Sequence, residues 1–212
     1  MTFPNAHEGV KKIRTAELLY LIIAIGGFIT AIMITVATAS KDKSKMTGGL
    51  AVLAMALGII AIVAFIINLI GLSKASKDDR GFKDALIFTL VGIILGALSS
   101  VFSKDPTITG VIDVVSNLIN VLVMVFVVRG IMNLATKLGR NDMIDKGNGI
   151  LKKVVVVHVI GLVINLIGTL LQRTDTVMTI AAVLLLVAGV IDVIVYFAYL
   201  KYLGKAVVML EQ

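Results

Sequence analysis

The chain has 212 residues, 58% of them hydrophobic and 16% charged, with a net charge of +7 and no cysteine. A water-soluble domain carries about a quarter charged residues, so that class is excluded, and with it go disulfides, thiolate nucleophiles and cysteine metal sites. The basic residues come in short clusters mixed with acids, too short for a nucleic-acid-binding arm, and no nucleic-acid partner is expected.

Six continuous apolar blocks follow in order, at 16–38, 50–72, 85–102, 108–128, 154–171 and 177–200. A helix rising about 1.5 Å per residue needs roughly 20 residues to cross a hydrocarbon core about 30 Å thick. The blocks do not alternate polar with apolar, as the strands of a membrane barrel would. The predicted fold class is all-α: a polytopic helical membrane protein with six transmembrane helices, one domain over 1–212.

The first span carries Glu17, Tyr20, Ala24, Gly27 and Ala31 on one stripe. It ends in "VATAS", a cleavage-like pattern, but the apolar run exceeds the roughly 7–15 residues of a signal sequence and reads as an uncleaved span. In the second span the stripe is Ala51, Ala54, Gly58, Ala61, Phe65 and Asn68. The third offers Ala85, Thr89, Gly92, Gly96, Ser99 and Ser103, including a G-x-x-x-G. Asp113, Asn117 and Asn120 share a face of the fourth, and Arg129 lies about 180° from Asn120 at roughly 100° per residue.

The fifth span, "VVVVHVIGLVINLIG", sets His158, Gly161, Asn165, Gly168 and Gln172 on one stripe. Ala182, Gly189, Asp192, Tyr196 and Tyr199 do the same in the sixth. Steps of three and four bring such residues to one helix face. Lipid tails are as apolar as leucine, so helices associate through small residues that permit close approach and polar residues that hydrogen-bond across. Asn68, Asn165 and His158 are therefore expected to face other helices, whether the seams pack closed or line a path.

The connectors orient the chain. Lys11, Lys12, Arg14, Lys74, Lys77, Arg80, Lys83, Lys137, Arg140, Lys146, Lys152, Lys153, Lys201 and Lys205 fall on one side, fourteen against the five of Lys41, Lys43, Lys45, Lys104 and Arg173. The positive-inside bias then places both termini in the cytoplasm, with the protein in the plasma membrane and the basic loops against anionic lipid headgroups. Tyr20, Tyr196, Tyr199 and Tyr202 gather near the same side, as interfacial rings do. The longest of these connectors, 133–149, should extend the fourth span and break around Gly147–Gly149, where backbone freedom is highest. "GVKK" at Gly9, "GFKD" at Gly81 and "GILKK" at Gly149 precede the odd-numbered spans, which suggests three repeated helical hairpins of about 70 residues.

Two charges inside spans need partners. Asp192 lies about 13 Å before Lys201 and Arg129 about 12 Å before Lys137, at about 1.5 Å per residue. If the fourth and sixth spans touch, the two can pair. Otherwise Arg129 snorkels to the headgroups. The intramembrane polar candidates are thus Asp192, Arg129, His158, Asn120, Asn117, Asp113, Asn165 and Asn68.

Catalytic chemistry is not expected. The two histidines, His7 and His158, have no partners at metal-ligand spacing, and no phosphate-binding or dinucleotide-binding glycine motif occurs. No metal and no cofactor are implied. Pro4 and Pro106 both lie outside the spans, so no broken helix marks a transport site. The expected function is a non-enzymatic scaffold or complex subunit, packed against a membrane partner or another copy. The alternative is a small transporter or channel that uses the intramembrane polar residues.

Overall fold

Uninterrupted apolar runs without internal proline leave the backbone one way to satisfy its own polar groups in lipid, and six helices result. They are α1 (Pro4–Ala39), α2 (Ser44–Ala75), α3 (Arg80–Val101), α4 (Pro106–Lys137), α5 (Asn141–Leu170) and α6 (Asp175–Glu211). The computed structural model describes residues 2–39, 44–170 and 175–211, without the side chains of 35–39, 44–48, 106–107, 113, 162–170, 175–188 and 192. Among the described residues there is no strand, and α1, α2, α3, α4 and α6 are long and apolar enough to cross a membrane.

Each helix packs on its neighbours in sequence and α6 returns to α1, so the six form a closed ring. The tightest pairings lie within the hairpins α1/α2, α3/α4 and α5/α6. The start of α1, the end of α6 and the two basic connectors share one end of the ring, here called basal; the opposite end is distal.

The helices outrun the apolar blocks at the basal end. α1 starts at Pro4, at a first-turn position where a missing N–H costs nothing, and α6 runs on to Glu211. Most of the basic residues expected in loops therefore stand on helices. The reason is a basal core that the greasy spans conceal in the sequence. Ala6, Val10 and Ile13 of α1 meet Leu72 and Ala75 of α2, and Leu203, Ala206, Met209 and Leu210 of α6 are buried with them. Phe82, Val127, Val128, Ile131, Leu134, Met143 and Tyr199 complete the cluster. At the distal end large apolar side chains such as Phe28, Val52, Met55 and Val101 are about 70% exposed. An apolar surface of that extent belongs in lipid.

Glycine sets how closely the helices approach. A Cβ on Gly9 would lie 2.6 Å from the carbonyl oxygen of Gly71 and 2.7 Å from Ala75. In the second hairpin a Cβ on Gly81 would lie 2.8 Å from the Cα and nitrogen of Gly130, whose own Cβ would strike the Phe82 ring. Gly149 meets nothing within 4 Å, so it does not repeat the crossing made by Gly9 and Gly81.

Two adjacent acids in the α2–α3 connector join these hairpins. Asp78 accepts hydrogen bonds from the Ala6 N–H at 2.7 Å and from Asn5 Nδ2 at 3.0 Å, capping α1 from 72 residues away. Asp79, 8% exposed, caps α3 through the Gly81 N–H at 2.8 Å. It also accepts from Asn133 Nδ2 at 3.2 Å, and Lys137 Nζ stands 3.6 Å away, so α4 is held too. Such caps are each worth about 1 kcal/mol. Across the ring's closure, His7 Nδ1 lies 3.2 Å from the Val207 carbonyl oxygen, and within the first hairpin Glu8 of α1 pairs with Lys74 of α2.

The α4–α5 break differs from the sequence expectation. The chain turns at Gly139, the one residue at φ +67°, and not at Gly147–Gly149, which lie inside α5. The Arg140 N–H reaches the Ala135 carbonyl and the Gly139 N–H reaches that of Thr136, the paired bonds of a left-handed helix terminus. Gly147 serves contact instead: a Cβ there would lie 2.6 Å from Met132 and 2.8 Å from the Tyr202 hydroxyl.

Gly81→Ala should therefore lower stability by about 1–3 kcal/mol through overpacking. Gly149→Ala should raise it by up to about 1 kcal/mol through helix propensity. Thermal unfolding in detergent reads both, and equal effects would refute the crossing as a constraint.

Candidate functional site

Of the stripes, Ala24, Gly27, Ala31, Ala51, Ala54 and Gly58 are exposed, while Glu17, Tyr20, Asn68, Thr89, Gly92, Gly96 and Asn120 gather at mid-height. Above the basal core they surround a cavity of about 490 Å³. Its polar lining is Glu17 and Tyr20 of α1, Asn68 of α2, Thr89 of α3, Ser116 and Asn120 of α4, and Tyr199 of α6. Gly92 and Gly96, the G-x-x-x-G pair, also line it. Gly92 makes only an ordinary 3.6 Å contact with Ile119, and Gly96 has nothing within 4 Å. Here missing side chains make room for a hollow.

Among the described residues Glu17 is the sole acid in this lining. The Tyr196 hydroxyl lies 2.8 Å from both Glu17 Oε2 and the Glu17 carbonyl oxygen, joining α6 to α1 at the chamber's basal end. Among the described residues no cation pairs with the Glu17 carboxylate. Asn68, 9% exposed, and Asn120 have no hydrogen-bonding partner among them either, so their amides are available to the cavity. Thr89 is satisfied within its helix, donating to the Ala85 carbonyl at 2.9 Å.

The expected candidates separate in space. Asn68 and Asn120 come together at the chamber. Asn117 is exposed and does not line it. His158 of α5 is half-buried, with Nδ1 2.9 Å from the Val154 carbonyl oxygen one turn back on its own helix. Arg129 is exposed beside Gly130, level with the start of α3. The expected Arg129–Asp192 pair cannot be placed, because the side chain of Asp192 lies outside the described residues. The side chains of Asp113, Asn165 and Asp192 lie outside the described residues.

Glu17 shares the first span's stripe with Tyr20, which is its signal in the sequence, but it is not among the intramembrane polar candidates expected there. The tyrosines of α6 differ from the expected interfacial placement. Tyr199 and Tyr202 are 1% and 2% exposed, core residues and not interfacial rings. Their partners come from α1, α4 and α5, distant in sequence. The Tyr202 hydroxyl is buried without a hydrogen-bonding partner among the described residues.

A second feature lies outside the ring's basal end, where α1, α5 and α6 meet. Arg14, Arg140, Lys146, Lys201 and Lys205 surround a groove of about 580 Å³ whose apolar side includes Leu200, Val208 and Met209. Gly204 leaves space for the Arg14 guanidinium, which would lie 3.4 Å from a Cβ there. Hydrogen bonds from Arg140 Nε and Lys146 Nζ hold the exposed Asp142 carboxyl down to about 2. That acid therefore stays charged at neutral pH, and the groove keeps a net positive balance.

Among the described residues no group of three or more acids, histidines or cysteines is arranged to hold a metal. Comparison with known protein families, with characterised proteins and with solved structures gives no match.

The two buried tyrosine hydroxyls should respond oppositely to deletion. Tyr196→Phe removes a hydrogen bond to a carboxylate and should cost about 1.5–3 kcal/mol. Tyr202→Phe removes an unpaired buried hydroxyl and should leave stability unchanged or raise it by about 1 kcal/mol. Thermal unfolding of the two variants side by side checks this, and a large loss at Tyr202 would reveal a partner.

Proposed function

We propose that the protein is a six-span membrane protein of the plasma membrane, with both termini cytoplasmic, that admits a small solute to the chamber and conducts it across the bilayer. The observation behind this reading is the cavity of about 490 Å³ among the spanning segments, lined by Glu17, Tyr20, Asn68, Ser116 and Asn120. Ligand sites typically enclose about 300–1,000 Å³, with a few polar groups in an apolar wall. A pure scaffold gains nothing from unpartnered amides and an uncompensated carboxylate, because polar groups in a span are costly unless used.

The asymmetry of packing adds to it. The basal end is sealed by glycine crossings and by the Tyr196–Glu17 bond, while apolar surface spreads at the distal end. The basal end is then a closed gate and the chamber a vestibule. The three hairpins are read as repeats of one unit, with Gly9 and Gly81 in like roles and the third diverged. In this orientation the basal groove of Arg14, Arg140, Lys146, Lys201 and Lys205 faces the anionic headgroups of the inner leaflet, which attract basic side chains by about 1 kcal/mol each.

The absence of cysteine makes the test direct. Ser116→Cys should react with a charged, membrane-impermeant thiol reagent added from outside, and Phe28→Cys, on the lipid-facing surface, should not. Purified protein in liposomes should carry a flux of small solutes that Glu17→Gln alters. An unreactive Ser116→Cys together with no flux across a panel of ions, amines and amino acids would return the protein to the scaffold class.

A further inference from the structure

We infer that the chamber's ligand is a small organic cation, an amine or quaternary ammonium with apolar substituents, whose charge is met by Glu17. This rests on the proposed role of the chamber and names the class of solute that it takes.

Charge decides first. Among the described residues the lining holds one carboxylate and no lysine, arginine or histidine. Glu17 Oε2 accepts from Tyr196, and among the described residues Oε1 has no partner. One hydroxyl donor does not replace the hydration of a carboxylate taken into a membrane. Arg14, one turn away on α1, lies across Gly204 at the basal groove and does not line the chamber. The charge that completes the site must come from the ligand.

The surrounding groups choose among cations. A divalent metal seeks several hard oxygen or imidazole ligands, and among the described residues this lining supplies a single carboxylate and no imidazole. A bare monovalent ion would leave most of about 490 Å³ unfilled. Aromatic rings attract organic cations through their faces, and Tyr20, Tyr199 and Phe65 all belong to the wall. The amide oxygens of Asn68 and Asn120 can accept from an ammonium N–H or a ligand hydroxyl. Gly92 and Gly96 leave room for alkyl groups.

The test uses the full chain in nanodiscs carrying Ser116→Cys as reporter. Choline, tetraethylammonium and benzyltrimethylammonium are tried as protectants against the thiol reagent, with 3,3-dimethylbutan-1-ol as choline's uncharged isostere. At least one of the cations should slow labelling in a saturable way, while the isostere should not. Glu17→Gln, which retains a hydrogen-bond acceptor for Tyr196, should weaken protection about tenfold, a change equal to about 1.4 kcal/mol. Asn120→Lys, which sets a like charge in the wall, should weaken it similarly and serves if the first variant does not fold. Labelling that no cation slows, protection by the isostere equal to choline's, or full protection in a folded variant would overturn the assignment of a cation. Failure of Ser116→Cys to react in the absence of any ligand would instead overturn the chamber itself.

Discussion

Everything in this fold hangs from the contact of backbone with backbone at the basal end. Where Gly9 meets Gly71 and Gly81 meets Gly130, no side chain stands between the helices. Such contact gathers dispersion energy that lipid cannot supply, since acyl chains compete equally for any aliphatic face. The two crossings fix the hairpins α1/α2 and α3/α4 as rigid pairs. Asp78 and Asp79 then tie one pair to the other, each satisfying helix N–H groups that would otherwise be orphaned. A single two-residue acidic step in a connector thereby sets the register of four helices.

The same residue type has opposite consequences at different heights. Glycine at the base removes a barrier to contact, and the helices close. At mid-height Gly92 and Gly96 share the cavity wall with Ile119, Asn120 and Val123, and Gly96 has nothing within 4 Å. There the missing Cβ becomes empty volume. A hydrophobic effect that would collapse such a hollow in water is absent between helices in lipid, so a chamber with polar walls can persist if it is wetted or occupied. Glu17 sits at the junction of the two regimes, held by Tyr196 on the closed side and facing the cavity on the other.

The span residues illustrate how far pattern alone carries. Steps of three and four correctly indicated that Asn68 and the Gly92–Gly96 pair turn inward, because helical period determines azimuth. Period says nothing about distance, so it does not decide whether an inward face closes on a neighbour or lines a space. His158 stands out in an apolar run, and its Nδ1 lies against the backbone of its own helix. Glu17 can be placed on its stripe from the sequence, but its partner lies 179 residues away. The break at Gly139 shows the same limit. Three glycines in one connector offer equal backbone freedom, and only packing against Met132 and Tyr202 assigns Gly147 to a helix.

The amino-acid sequence by itself determined that the chain is helical and apolar enough for a bilayer, because continuous hydrophobic runs and backbone hydrogen-bonding are local properties. It also determined which face of each span is polar, since that follows from 3.6 residues per turn. The tertiary structure alone decided which of those faces touch and which enclose space, and that the tyrosines of α6 belong to the interior. Those outcomes depend on how closely two helices can approach at each height. That distance is a joint property of residues far apart in the chain, which no single stretch encodes.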